Sequence, residues 1–288
     1  MLTLLLALAQ VPGLPAARHA LDSLAGSIPG HVGAAAMIIE TGAMVSTHGN
    51  ERFPMQSVYK LPIAMAVLQR IDAGKLKLGE EIHIKKSDMI PGIHSPIRDM
   101  SPGGTRLSTR ELLRSAIVES DGVASDMLLV WSPPADVTKM LRKAGVDSMT
   151  VATSERAMAA DAMVQYKNWS TPVGAVQLLR ALYSGHALSA PSKALLIGWL
   201  TESTSGDKRI KALLPPGTAV AHKTGTDATR NGMTRATNDI GIVTLPSGQH
   251  LAIAVCVKDS KATEAQRESV IAQIAKAAWS VANRKTGK

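Results

Sequence analysis

A chain of 288 residues that is 45% hydrophobic and 19% charged has enough apolar material for a large core, which excludes disorder over most of its length. Its one cysteine, Cys256, excludes an internal disulfide framework and a cysteine-built zinc site, and an aromatic content of 3% leaves no stacking platform for single-stranded nucleic acid. The formal charge of +9 fits a polyanion, an anionic surface or a small acidic ligand, and composition does not choose among them.

The first ten residues form the apolar run of a secretory leader, with small residues following at Pro15-Ala-Ala17 but no Lys/Arg before it. A leader remnant and an apolar first helix are both open readings. No other apolar run reaches the length of a membrane span. An Ala-rich helix is expected over 15–28, closed by Ile28-Pro-Gly30. Strands follow at Val32–Glu40 and Ala43–His48, joined by the turn signal Thr41-Gly42. From 57 to 203 apolar residues recur at three- and four-residue steps, which predicts helices over 57–73, 108–119, 121–131, 135–144, 172–184 and 190–202. Strand character returns at Thr218–Lys223, Thr234–Leu245 and His250–Lys258, the last two joined by Pro246-Ser-Gly248, and a closing helix is expected over 262–283. Strands at both ends of a helical middle predict a discontinuous α/β lobe with an all-α lobe inserted into it.

Several common machineries are missing. The sequence has no Gly-x-Ser-x-Gly elbow, no Walker loop, no Gly-x-Gly-x-x-Gly, and no His-Glu-x-x-His or His-x-His among its eight histidines. Gln56-Ser-Val-Tyr-Lys-Leu-Pro62 stands out instead. Ser57 and Lys60, three apart, share one face of a helical turn, and Pro62 fits only near a helix start. A serine needs a base to become a nucleophile, and a partly buried lysine is able to serve. Ser57 on its own reads as an ordinary N-cap, and Ser205-Gly-Asp-Lys208 repeats the spacing without such a helix. Ser120-Asp121-Gly122 lies between two helices, where a capping turn is the plain alternative; Ser125-Asp126 and Ser87-Asp88 repeat the dipeptide. His222-Lys223-Thr224-Gly225-Thr226 ends a strand-like run and offers a cation, two hydroxyls and a glycine that permits close approach. Lys285-Thr286-Gly287 repeats part of it in a basic tail.

Taken in order, Ser57-x-x-Lys60 opening an apolar helix, Ser120-Asp121 between helices and Lys223-Thr224-Gly225 on a late strand resemble the serine β-lactamase and penicillin-binding superfamily, class A in particular. The resemblance covers nearly the whole chain. It implies an α+β, β-lactamase/transpeptidase-like fold: an antiparallel sheet flanked by terminal helices plus an inserted all-α lobe. Residues 1–52 and 205–288 form the first lobe, 53–204 the second, and the active site lies in the cleft between them. It also implies that Ser57 attacks the lactam carbonyl, with Lys60 or Glu155 through water taking its proton. Glu155, in Thr153-Ser-Glu-Arg-Ala-Met-Ala159, matches the Ω-loop glutamate that activates the deacylating water. Backbone N–H groups of Ser57 and Thr226 form the oxyanion hole. Ser120, held by Lys223, returns a proton to the lactam nitrogen. The substrate carboxylate meets Thr224, Gly225, Thr226 and an arginine, for which Arg209 is the first candidate and Arg235 the second.

Four positions depart from the family. Gly122 replaces an asparagine that steadies the substrate acylamide. Ala159 replaces a polar residue that helps hold the hydrolytic water. Thr153 and Asn168 stand where an Arg–Asp tie usually spans the Ω loop, as in an extended-spectrum branch that this chain resembles over Asp161–Trp169. Ala64 and Leu113 fill the places of the family disulfide. The expected activity is hydrolysis of penicillins and cephalosporins by a periplasmic or secreted monomer. No cofactor, metal, nucleic acid or membrane span is implied. A DD-peptidase or penicillin sensor that acylates but deacylates slowly is the alternative, and Gly122 with Ala159 also suits a weak penicillin-binding module.

Overall fold

The computed structural model describes residues 14–185 and 187–283. The apolar leader-like run and the Lys285-Thr286-Gly287 repeat lie outside the described residues. Helix α1 (Leu14–Ala25) leads into strands β1 (His31–Ile38), β2 (Met44–Thr47) and the two-residue β3 (Phe53–Pro54). Then come α2 (Lys60–Asp72), β4 (Glu81–Lys85), α3 (Pro96–Met100), β5 (Gly104–Ser108), α4 (Thr109–Val118), α5 (Gly122–Trp131) and α6 (Pro134–Lys143). Next are β6 (Met149–Thr150), α7 (Glu155–Ala160), β7 (Trp169–Ser170), α8 (Pro172–Tyr183) and α9 (Ala190–Thr201). The chain closes with β8 (Val220–Thr226), β9 (Thr237–Thr244), β10 (His250–Lys258) and α10 (Glu264–Ala282).

The main sheet has the order β2-β1-β10-β9-β8, antiparallel throughout, so β8 is an edge strand. Its central strands β1 and β10 are apolar on both faces because both are covered. Leu251, Ile253, Val255 and Val257 pack with Val32, Ala34, Leu21 of α1 and Ile271 and Ile274 of α10. The alternate residues Ala252 and Ala254 join Ala35, Met37, Ala221, Ile240 and Ile242 in one continuous core with α2, α4, α5 and α8. Small side chains on this second face let the helices approach closely: a Cβ on Gly33 would lie 2.6 Å from the Phe53 ring.

The helical middle differs from expectation in two places. An antiparallel pair, β4 with β5, crosses it, with Ile84 buried and its charged neighbours outward. The alternation Glu81-Ile-His-Ile-Lys85 is a period-2 signal that the surrounding helical periodicity masks. A small sheet, β3-β7-β6, joins Phe53 and Pro54 to Ser170 and Trp169. It brings the end of the 153–168 segment beside the residues that precede Ser57. Strand β8 also runs three residues beyond its expected end at Lys223, to Thr226. Gly225 permits this, because a Cβ there would stand 2.3 Å from the Met55 carbonyl oxygen.

Candidate active site

Ser57 lies in a 3-10 turn, Gln56–Tyr59, that passes directly into α2, so the helix starts slightly later than its periodicity predicts. Pro62 is the third residue of α2, where a missing N–H costs nothing. Gln56 enters the turn at φ 46°, a left-handed conformation worth about 1–3 kcal/mol of strain in a non-glycine residue. Neighbours hold it there. Gln56 Nε2 donates to Gln165 Oε1 at 2.7 Å, Asn238 Nδ2 donates to the carbonyls of Pro54 at 2.8 Å and Met55 at 3.1 Å, and the Met55 N–H donates to Asn168 O at 2.9 Å.

One turn after Ser57, at the first residue of α2, Lys60 is 2% exposed and its Nζ stands 3.0 Å from Glu155 Oε1 and 2.5 Å from the Ser120 carbonyl oxygen, to which it donates. An ammonium so deeply buried is tolerable only with this pairing. Ser120 is itself left-handed, at φ 59°, in the turn between α4 and α5. Asp121 fixes that turn: its fully buried carboxylate accepts from Ser95 Oγ, the Ile97 N–H and the Ala124 N–H. The Asp121 cap that the sequence offers as a plain alternative is therefore real, and it presents Ser120 to the cluster. On the other side, Lys223 Nζ donates to Ser120 Oγ at 2.9 Å. Burial drives Lys223 well below the usual lysine range, the Lys60 charge pushes it further, and Asp239 and Glu155 oppose the shift.

Glu155 opens α7, whose N-cap Ser154 accepts from the Ala157 N–H. Asp126 of α5 receives the Glu155 N–H at 2.7 Å and the Arg156 N–H at 3.0 Å, which sets the glutamate against Lys60. Desolvation pushes Asp126 up to about 6 despite these two bonds. The 153–168 segment is closed without an Arg–Asp tie. The buried Asn168 amide accepts from the N–H groups of Ala152 and Thr153 at 2.8 and 3.0 Å and donates to Thr153 O at 3.1 Å. One neutral side chain thus satisfies three backbone groups, where the family uses two charges. Gln165 continues the tether, donating to Asp227 Oδ2 at 3.0 Å, while the Tyr166 hydroxyl donates to Asp259.

Strand β8 forms the remaining wall. The Thr244 N–H donates to Ala219 O and the Asp227 N–H to Ala236 O, so the odd-numbered residues of β8 exchange hydrogen bonds with β9. The even-numbered ones, Thr224 and Thr226, turn their N–H and C=O groups to the open edge. Side chains alternate likewise: Lys223 and Gly225 face the helical core and the Ser57 turn, whereas His222, Thr224 and Thr226 face the opposite side. There Arg209, 5% exposed, donates through Nη2 to Thr226 Oγ1 at 2.8 Å and through Nη1 to Asn238 O at 3.0 Å, and it pairs with Glu268 at 3.3 Å. Ser205 Oγ and Thr224 Oγ1 are 2.6 Å apart. Arg235 makes no such contact; its Nη1 is buried without a hydrogen-bond partner among the described residues.

The structure therefore brings Lys60, Ser120, Glu155 and Lys223 into direct contact, with the Ser57 turn packed against Gly225. At Gly122, a side chain would begin 2.6 Å from Ile93 Cδ1 and 3.3 Å from Glu155 Cγ, so Ile93 fills the space that the family's asparagine would enter. Ala159 is exposed near the end of α7. Ala64 and Leu113 are fully buried members of the helical core, apolar where the family places its disulfide. Sequence reasoning missed the supports: Asp126, met only as a repeated Ser-Asp dipeptide, and Asn238, a polar residue within an apolar strand.

A family model described as "Beta-lactamase enzyme family" matches residues 16–282. The chain belongs to that family. It is 40% identical to the extended-spectrum β-lactamase PER-1 of Pseudomonas aeruginosa over 80% of this chain and 75% of that protein. It is also 40% identical to β-lactamase VEB-1 of the same organism, over 79% and 77%. Among solved structures, a β-lactamase from Chitinophaga pinensis superposes with a TM-score of 0.90 at 45% identity, covering 93% of this chain and all of that one. The extended-spectrum β-lactamase TLA-3 superposes with a TM-score of 0.91 at 37% identity, covering 94% of this chain and all of its own. The fold of this β-lactamase family member is thus the α+β, class A arrangement that its sequence motifs imply.

Proposed function

We propose that this β-lactamase hydrolyses the lactam amide of penicillins and cephalosporins through an acyl-enzyme on Ser57. The observation that carries the reading is the buried contact chain from Glu155 through Lys60 to Ser120 and Lys223. Ser57 Oγ attacks the carbonyl carbon, and its proton passes to the Lys60–Glu155 pair, whose 3.0 Å contact makes it one proton-accepting unit. Negative charge developing on the carbonyl oxygen meets the N–H groups of Ser57 and Thr226, a role supported by the position of Thr226 on the open edge of β8. Ser120, polarised by Lys223 at 2.9 Å, gives a proton to the departing nitrogen. Glu155 then takes a proton from the water that cleaves the ester. Thr224, Gly225, Thr226 and Arg209 bind the substrate carboxylate, and the Arg209–Thr226 contact favours Arg209 over Arg235 for that role.

The same proposal divides the chain into lobes 1–52 with 205–288 and 53–204, the first giving Arg209 and Lys223–Thr226 and the second Ser57, Lys60, Ser120 and Glu155. A periplasmic or secreted location and a monomeric state belong to it on the family likeness; among the described residues no helix is long and apolar enough to cross a membrane.

A chromogenic cephalosporin tests the reading. Linear turnover far beyond one equivalent is expected, whereas a single-equivalent burst that stalls would replace hydrolysis with the DD-peptidase or penicillin-sensor alternative. In the same assay Arg209→Ala is expected to raise KM about tenfold with kcat largely kept, as loss of a charge-assisted contact to a non-reacting group should. Arg235→Ala is expected to change KM little. The reverse pattern moves the carboxylate role to Arg235.

A further inference from the structure

His222 and Asp239 form a fully buried pair that the chemistry above does not use. They lie on the face of β8 and β9 opposite Lys223. His222 Nδ1 stands 2.9 and 3.1 Å from the two carboxylate oxygens of Asp239. A carboxylate only accepts, so the ring hydrogen sits on Nδ1. Asp239 Oδ2 also accepts the Ile210 N–H at 3.2 Å, which is the backbone group adjacent to Arg209. Gly206, at φ 85°, lies flush on the same surface: a Cβ there would stand 2.5 Å from Thr224 Cγ2, 3.3 Å from His222 Cε1 and 3.6 Å from Asp239 Oδ2. The segment 205–210 is thus seated on β8 at both ends, by Ser205 on Thr224 and by Ile210 on Asp239, and its own Arg209 N–H closes onto Gly206 O at 2.9 Å.

We infer that His222 and Asp239 are positioning residues for recognition of the substrate carboxylate: the imidazole fixes the Asp239 carboxylate, and the carboxylate holds the 205–210 segment so that Arg209 stays on Thr226. Without the pair, the Ile210 N–H loses its acceptor and Gly206 its seat. The Arg209 guanidinium then has only its own side-chain contacts to keep it beside Thr224 and Thr226. The nucleophile, Lys60 and Glu155 lie across the sheet and are reached by none of these contacts. The consequence therefore falls first on binding of the carboxylate, and a comparison of charged with uncharged substrate reads it apart from the effect of the Asp239 charge on Lys223. This rests on the reading that Thr224, Thr226 and Arg209 bind that group.

The test compares a chromogenic cephalosporin with its methyl ester, which keeps the lactam and removes the negative charge. The unaltered protein is expected to prefer the free acid. For His222→Ala the acid's KM should rise about tenfold with kcat changing much less, and the acid-to-ester ratio of kcat/KM should collapse by a similar factor. His222→Asn, whose amide offers an N–H in place of Nδ1–H, should recover most of that ratio. Asp239→Ala should lose it, because the Ile210 N–H and the His222 ring then have no acceptor between them, and this variant decides the matter if His222→Ala does not fold. Equal losses for acid and ester in these variants, or an unchanged ratio, overturn the inference while leaving hydrolysis standing. No turnover of either compound by the unaltered protein overturns the hydrolysis reading itself.

Discussion

Glu155→Gln is expected to convert steady turnover of a chromogenic cephalosporin into a burst of one equivalent, with kcat falling by about 10²–10⁴, the range that general-base catalysis supplies. The amide keeps the size of the carboxylate, so the two N–H groups that Asp126 holds at the start of α7 stay in place. What goes is, among the described residues, the carboxylate in contact with Lys60 that is able to take a proton from water. Acylation should survive for a physical reason. Lys60 is buried, and its charge is compensated by Glu155 at 3.0 Å and by one carbonyl. Lys60 keeps its place one turn from Ser57 and its contact with the Ser120 carbonyl when the carboxylate becomes an amide, so a proton acceptor for Ser57 is still in position. Mass spectrometry of the stalled protein should find the antibiotic's mass added to the chain, and Ser57→Ala in the same background should remove the adduct. Turnover undiminished by Glu155→Gln would mean that another group activates the water.

The legible parts of this molecule are those whose geometry is local. Ser57 and Lys60 fall on one turn by spacing alone, and the alternation in His222–Thr226 separates Lys223 from Thr224 and Thr226 by the pleat of a strand. The six longer helices of the middle segment are legible from their apolar periodicity, with observed ends within a few residues of it, whereas the short α3 and α7 are not. The β4–β5 pair was not, because two alternating isoleucines are a weak signal between strong helical ones. The remaining illegible features are pairings across long stretches of chain. Asp126 reaches Glu155, Asn168 reaches Thr153, and Asp239 reaches Ile210, each using a residue type that is common on surfaces. Composition and spacing carry no trace of which distant partner a carboxylate or amide will find. The Ω segment shows the consequence most clearly. From sequence, Thr153 and Asn168 register only as the loss of a charged tie, whereas in the fold Asn168 is itself the tie.

The contact between β8 and the Ser57 turn makes a second large effect predictable, one that depends on backbone rather than on any catalytic side chain. Gly225→Ala places a Cβ 2.3 Å from Met55 O, 3.1 Å from Val58 N and 3.2 Å from Gln56 Cβ. The two nearest atoms are backbone, and rotamer changes do not relieve them. The turn is also fastened from behind, by Asn238 on the Pro54 and Met55 carbonyls and by Gln165 on Gln56. Strand and turn must therefore separate by about 1 Å, which costs about 1–3 kcal/mol of stability as overpacking. Catalysis should suffer more, since Ser57 stands on the turn and the Thr226 N–H on the strand, and a 1 Å error in such an arrangement is worth about 10²-fold. The expected result is a fall of about 10²-fold or more in kcat/KM, seen in the acylation rate, beside a modest loss of thermal stability. Gly198→Ala is the matched control: it lies within α9 with nothing inside 4 Å of the added Cβ, and should leave activity unchanged and stabilise the helix by about 0.5–1 kcal/mol. Acylation by Gly225→Ala within a few-fold of the unaltered rate would show that the strand and the turn do not jointly build the site.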